Sequence, residues 1–211
     1  MEEIKMKLEE IKLRMNAKKL YFCDDPSLAK EQMEQLDRLF DYNNIRPSEQ
    51  NKKQELLKKM FGSIGENCYI ETPFHANWGG KFVHFGKSVY ANFGLTLVDD
   101  CPIHVGDNVL FAPNVTLCTG THPIHPMLRS QQAQYNLPIT IGNNVWLGAG
   151  VIVLPGVTIG DNSVIGAGSI VTKDIPSNVV AVGNPCKVLR PIDENDFEYY
   201  YKDMKIDIAC K

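Results

Sequence analysis

This chain has little net charge, no C-x-x-C pair and no apolar run at its start, and each shortage narrows what it can do. Its 211 residues carry 22 lysines and arginines against 25 aspartates and glutamates, a net charge of −3. With no basic cluster and a pI near 6.0, the footprint that a phosphate backbone needs is missing, which argues against a nucleic-acid partner. The opening Met1-Glu-Glu-Ile-Lys-Met-Lys puts a charge in every turn, unlike a signal peptide or a membrane span. A cytoplasmic protein with no membrane partner is the expectation. Six cysteines, at 23, 68, 101, 118, 186 and 210, are scattered along the chain. In a reducing compartment they read as small buried hydrophobes rather than disulfides or zinc ligands, so no metal is expected.

What the chain does have is a period of six. From Ile141 to Pro176 the hexads open on Ile141, Leu147, Val153, Ile159, Ile165 and Val171, with small or β-branched residues at the fifth places and Gly, Asn, Asp or Pro between. Six matches neither the helical 3.6 nor one long strand. It matches a short strand plus a corner, repeated: a parallel β-solenoid of hexapeptide repeats. First and fifth residues should point inward, and the Gly/Asn/Asp pairs supply the φ > 0 conformations of tight corners. The same phase runs through Phe85, Ala91 and Leu97, then through Val105, Phe111 and Leu117, and Ile64-Gly65 reads as a degenerate first rung. Three hexads make one prismatic coil, and stacked coils pair at strand spacing, ~4.8 Å. The repeat occupies residues 61–190, between an N-terminal segment, 1–60, and a tail, 191–211.

The N-terminal segment has helical texture. Asp25-Pro26-Ser27 suits a helix start, with Leu28, Leu36, Leu39 and Phe40 on one face, and Pro47-Ser48 opens a second helix striped by Leu56, Leu57, Met60 and Phe61. Two short amphipathic helices cannot bury themselves alone. They either cap the exposed edges of the first coil or take part directly in substrate binding.

Chemistry is expected where the repeat breaks. After Leu117-Cys-Thr-Gly-Thr-His122 the hexads stop until Pro138, and a long loop thrown from a compact solenoid is more often functional than accidental. His122 takes an outward sixth place at the root of that loop. It is either a corner residue anchoring the loop or a general base, since imidazole accepts a proton near neutral pH. No nucleophile motif of serine or cysteine adjoins it, which disfavours an acyl-enzyme.

The run Thr119-Gly-Thr-His122-Pro-Ile-His125-Pro-Met-Leu-Arg129 resembles the catalytic loop of the maltose and galactoside O-acetyltransferases. Tyr90-Ala-Asn92, Leu97-Val-Asp99-Asp100, Pro138 to Trp146 and Val180 to Arg190 resemble other motifs of that family, in order, over about Leu20 to Lys205. The resemblance implies a left-handed β-helix with a helical cap, acetyl-CoA as donor, a sugar hydroxyl as acceptor, and a homotrimer with each site between neighbouring subunits. It assigns His122 as the catalytic histidine and Asp24 or Asp25, Tyr90, Asn92 and Asp100 to the acceptor side. Asn92, Trp146, Ala149, Ala167, Thr172, Lys173, Lys187 and Arg190 fall on the coenzyme side. Read from the residues alone, Trp146 also suits packing, Asp100 a turn, and the three cations a solvated surface.

The chain departs from the family pattern in places. Phe22 and Cys23 stand where an acceptor-binding carboxylate is expected, Gln134 replaces a methionine, and Asn77-Trp78-Gly-Gly replaces a more polar segment. These positions leave the acceptor sugar open, among galactoside, maltose and glucose types. Two other functions compete. A γ-type carbonic anhydrase would use His84, His122 and His125 as zinc ligands, and a non-catalytic solenoid scaffold would need no site at all.

Overall fold

Hexad phase decides which side chains are inside. In the computed structural model, which describes residues 6–23 and 25–209, Ile141, Val145, Leu147, Val151, Val153, Val157, Ile159, Ile165 and Val171 are all buried in one continuous core. Ser163 and Ser169, at fifth places, are equally buried. Their hydroxyls donate to the carbonyls of Pro176 at 2.8 Å and Gly166 at 2.6 Å, so burial leaves neither unsatisfied.

Short parallel strands stack on three faces. The first face carries Ser63–Ile64, Val83–Phe85, Ile103–Val105, Ile139–Ile141 and Thr158–Ile159. The second carries Tyr69–Ile70, Tyr90–Ala91, Leu110–Phe111, Trp146–Leu147, Val164–Ile165 and Val179–Val182, closed by the antiparallel Lys187–Pro191. The third carries His75–Ala76, Thr96–Val98, Thr116–Cys118, Ile152–Val153 and Ile170–Val171. Equivalent hexad positions pair directly, as in Ala91 with Phe111, Phe111 with Leu147, and Leu147 with Ile165. Ile64 joins as the first rung, opposite Phe85. The corner between the first and second faces is an asparagine ladder. Asn108, Asn144, Asn162 and Asn178 all have φ near 60°, and their amides link at 3.1, 2.9 and 2.9 Å. Asn tolerates this left-handed backbone and bonds its own kind one coil away.

Three helices precede the coils: α1 (Leu8–Asn16), which packs on the Tyr21–Phe22 and Ala133–Asn136 strands, and α2 (Pro26–Asn44) and α3 (Gln50–Met60), which close the first coil. Helix α1 has no counterpart in the sequence reading, and α3 begins after Pro47-Ser48 rather than on it. Asp25 caps α2, its carboxylate accepting from Ser27 N–H at 2.8 Å. Leu28 and Leu39 are buried as the helical stripe requires, but Phe40 is 68% exposed. Tyr42 takes its place inside, edge-on to Phe74 at 5.2 Å, with its hydroxyl donating to the Ile70 carbonyl at 2.8 Å. Leu57, Met60 and Phe61 of the α3 stripe complete the cap.

The loop after His122 is structured. Gly120–Thr121 and Ala133–Asn136 form an antiparallel hairpin around one helical turn, Pro126–Arg129, and Tyr21–Phe22 adds a third strand. The tail adds a short helix, Glu194–Glu198, and a hairpin of Tyr199–Tyr201 with Met204–Lys205. No helix among the described residues is long and apolar enough to cross a membrane.

Because Ile159 and Ile165 have no solvent exposure, Ile159→Asp or Ile165→Asp buries a carboxylate with no partner, at a cost of several kcal/mol, roughly 4 or more. Both variants are expected to be insoluble or to melt far below the parent. An unchanged thermal melt would mean that the hexad phase is wrong.

Candidate active site

Three successive coils turn from the third face to the first by way of polar corners. The first corner carries Asn77 and Trp78, the second Asp99 and Asp100, and the third Thr119 to His122. Backbone bonds stack them: Asn77 N–H donates to Leu97 O at 2.9 Å and Thr119 N–H to Val98 O at 3.0 Å. The Thr119 hydroxyl adds a bond to Val98 O at 2.7 Å and accepts from Cys101 N–H at 3.2 Å.

Asp100, 7% exposed, is one of two buried acids in this stack, with Asp99. Its Oδ1 accepts from Asn77 Nδ2 at 2.6 Å and from Trp78 Nε1 at 3.0 Å. Its Oδ2 lies against Gly120, where a Cβ would overlap it. Glycine at 120 thus allows the His122 strand to pass over the carboxylate. Burial raises the Asp100 carboxyl above its ordinary range, opposed by the Asn77 and Trp78 bonds and by the charge of His122. The backbone carbonyl of Asp100 accepts from Asn136 Nδ2 at 3.0 Å, and Asn136 also bonds the Tyr21 hydroxyl, so the hairpin is tied to the same corner.

His122 Nδ1 lies 2.9 Å from the carbonyl of Ala133. A carbonyl only accepts, so Nδ1 carries the hydrogen, and in the neutral form of this exposed ring the lone pair is on Nε2. This is the tautomer of a proton acceptor held by its other nitrogen. Nearby, a cavity of about 200 Å³ is lined by Met15 and Leu28 from the helices, Cys23 just past the Tyr21–Phe22 strand, Gln134 from its partner strand, and Trp78 and Asp100. Gln134 Nε2 donates to Cys23 Sγ at 2.9 Å on that wall. Burial pushes the thiol of Cys118 up, away from thiolate chemistry.

The other sequence-assigned residues are distributed around the prism. Asp24 lies outside the described residues. The Asp25 carboxylate caps α2 and is not among the residues lining the cavity. Tyr90 is on the second face, stacked on Tyr69 with centroids 6.2 Å apart. Trp146 is on the same face, 51% exposed, between Leu110 and Val164. Asn92, Ala149 and Ala167 mark the corner between the second and third faces, where Asn92 Oδ1 accepts from Phe93 N–H at 2.8 Å. The Gly148 amide is spent on Ile165 O at 2.8 Å, whereas the Ala149 amide has no such acceptor among the described residues. Thr172 and Lys173 are exposed just past Ile170–Val171. Lys187 and Arg190 sit on the closing strand, the Arg190 guanidinium gripping both oxygens of Asp196 at 2.6 Å.

One chain therefore brings together Asp100, His122 and the cavity. It sets Tyr90, Asn92, Trp146, Ala149 and Ala167 elsewhere. Asp99, Tyr21 and Asn136 complete the built corner, and the sequence reading assigned none of them a role. Their partners are more than fifty residues away or on another coil, and only the hairpin's pairing with Tyr21–Phe22 would have pointed to them. Within one chain the histidines of the zinc alternative are held apart. His84 bonds Ser63 Oγ at 3.0 Å and stacks on His104 on the first face, and no three His, Cys, Asp or Glu converge among the described residues.

The comparisons with known proteins cover both the cap and the repeat. Residues 14–65 match the maltose acetyltransferase hexapeptide capping motif, and residues 138–173 match the bacterial transferase hexapeptide family, with its six repeats. The chain is 58% identical to galactoside O-acetyltransferase of Lactococcus lactis subsp. lactis over 96% of its own length and 97% of that protein. It is 50% identical to the Escherichia coli galactoside O-acetyltransferase, over 92% of this chain and 95% of that one. Its fold matches a galactoside acetyltransferase solved in complex with coenzyme A at a TM-score of 0.90 and 48% identity, covering 97% of this chain and 100% of that one. With its capped hexapeptide solenoid and a histidine-bearing hairpin breaking the repeat, the chain belongs to the maltose and galactoside O-acetyltransferase family and is an O-acetyltransferase.

Proposed function

We propose that the protein moves the acetyl group of acetyl-CoA directly to a sugar hydroxyl, of galactoside, maltose or glucose type, with His122 as general base. The observation that carries this reading is the Nδ1–Ala133 carbonyl bond, which in the neutral ring leaves the lone pair on Nε2, on a residue that interacts with Asp100, itself a lining residue of the cavity. Nε2 takes the proton of the acceptor hydroxyl as its oxygen bonds to the thioester carbon. The C–S bond then breaks, and the same proton passes to the departing thiolate to give free coenzyme A. Asp100 orients the hydroxyl-bearing acceptor.

The coenzyme side is assigned to Asn92, Trp146, Ala149, Ala167, Thr172, Lys173, Lys187 and Arg190, and Tyr90 and Asn92 to the acceptor's far side. The free amide of Ala149, rather than that of Gly148, suits the developing oxyanion. Tyr90, Asn92, Trp146, Ala149 and Ala167 lie on the second face or at the corner beyond it, away from His122, whereas Thr172 and Lys173 follow the third-face strand Ile170–Val171. A site that uses both His122 and the second-face set draws one of them from a neighbouring copy, which favours the homotrimer. Support for the donor comes from the relative solved with coenzyme A. The thiols of Cys68, Cys101, Cys118 and Cys186 suit a reducing compartment, the cytoplasm.

His122→Ala is expected to keep the melting temperature and the KM for acetyl-CoA while kcat falls by roughly 10² to 10⁴. Near-full turnover in that variant would remove the base assignment. Asp100→Asn is expected to raise the acceptor KM, by about 1–3 kcal/mol in binding terms, with the acetyl-CoA KM unchanged. Lys173→Ala is expected to do the reverse, with an effect that shrinks as salt screens the phosphates. If both variants move both constants together, the division of the site is wrong. Light scattering is expected to give a trimer, and a fully active monomer would overturn the shared site.

A further inference from the structure

Asp99 is the one buried acid that the proposed chemistry leaves unused. It has no solvent exposure, and among the described residues no lysine or arginine pairs with it. Its two oxygens accept backbone N–H groups one coil away, Trp78 at 2.7 Å and Gly80 at 3.0 Å. The turn gathered this way is tight: Gly79 and Gly80 have φ of 61° and 94°, and Lys81 N–H closes back on Trp78 O at 3.0 Å. Beside and within this turn are the two donors that hold Asp100, the amide of Asn77 and the indole N–H of Trp78. Both land on Oδ1, which leaves Oδ2 on the side of Gly120 and His122.

A buried carboxylate is a costly way merely to close a turn. Its advantage over an amide or hydroxyl is two strong acceptor oxygens at once, one for each N–H. We propose that Asp99 is a positioning residue for acetyl transfer: it clamps the Trp78–Gly80 backbone so that Asn77 and Trp78 aim Asp100 at the acceptor. The inference rests on the reading of Asp100 as the acceptor-side carboxylate.

Ionisation ties the clamp to pH. Burial first, and the adjacent Asp100 as well, push the Asp99 carboxyl up to about 7, against the pull of the Trp78 and Gly80 amides. Asp100 is the titratable group that acts on it directly; His122, the Tyr21 hydroxyl and the Cys101 and Cys118 thiols interact with Asp100 instead. Lys81, on the same turn, directs its ammonium to Glu31. As pH falls through about 7 the carboxyl gains a proton, one oxygen becomes a poor acceptor, and the clamp loosens. Stability runs the other way. An acid raised on folding stabilises the fold fully below its unfolded value and gives that up as pH rises through its folded one.

The test is Asp99→Asn, assayed with acetyl-CoA and a galactoside beside the parent and Asp100→Asn. Asparagine offers one acceptor oxygen for two N–H groups, so the acceptor KM is expected to rise about fivefold or more while the acetyl-CoA KM stays put. In the parent, the ratio of acceptor KM to acetyl-CoA KM is expected to climb as pH falls from 8 to 6, around the Asp99 value of about 7. In the variant that ratio is expected to be flat. A variant with the parent's acceptor KM and the parent's pH dependence would overturn the proposal. If Asp100→Asn leaves the acceptor KM unchanged, the acceptor-side reading itself fails. If it raises that KM and Asp99→Asn does not, only the clamp fails. Should Asp99→Asn not fold, amide NMR of the unaltered protein decides. The Trp78 and Gly80 amides and the Trp78 indole N–H should titrate together with acceptor affinity, and an indole signal and an affinity that stay flat while the amides move would refute the positioning role.

Discussion

Everything in this molecule hangs on the backbone ladder between coils. Each short strand gives its N–H groups to the coil beside it, so a residue's phase in the hexad decides its neighbours three strands later. Ala91, Phe111, Leu147 and Ile165 form one inward column for this reason, and Asn108, Asn144, Asn162 and Asn178 one corner column. The ladder makes the fold nearly one-dimensional. A substitution is felt mainly by the residues above and below it.

A site cannot easily form on such a surface, because a strict repeat offers the same groove at every level. The insertion after Thr121 breaks that uniformity without disturbing the ladder: Leu117 pairs with Leu97 before the insertion and with Val153 after it. The hairpin is free to lean out and recruit Tyr21–Phe22 as a third strand. That pairing makes the helical cap part of the site. Met15 and Leu28 help wall the cavity that Asp100 lines, while Leu39, Tyr42, Leu57 and Met60 seal the first coil. Sealing the first coil and lining the cavity fall to different residues of one segment.

The inward positions were legible because aliphatic residues at a fixed period have one physical reading, and the start of α2 because Asp25-Pro26-Ser27 combines a side-chain cap with a preset φ. Phe40 and Tyr42 were not separable that way. Both lie near the edge of the apolar stripe, and only the Ile70 carbonyl, which satisfies the Tyr42 hydroxyl, decides between them. His122 was legible by its place at the root of the interruption. Its tautomer was not, since it depends on a carbonyl across a hairpin whose pairing no local pattern announces. Asp99 and Asp100 look alike in the sequence. One turns to backbone amides and the other to side chains, a difference set by the coil below.

The placement of the site residues also has a consequence for how such a fold can change acceptor without losing its donor. The corner that carries Asp100 depends on contacts made once: the Asn77–Trp78 turn, the Cys23–Gln134 wall and the Tyr21–Asn136 tie. Of the residues assigned to the coenzyme, Ala149 and Ala167 sit on repeating positions, one coil apart at the same corner. Changes at the unique corner alter cavity shape and polarity locally, because the ladder passes little of the disturbance to neighbouring faces. Changes at repeating positions would have to be matched along the stack. The departures of this chain from the family pattern, at Cys23, Gln134 and Asn77-Trp78, all fall at the unique corner, where the architecture tolerates them best.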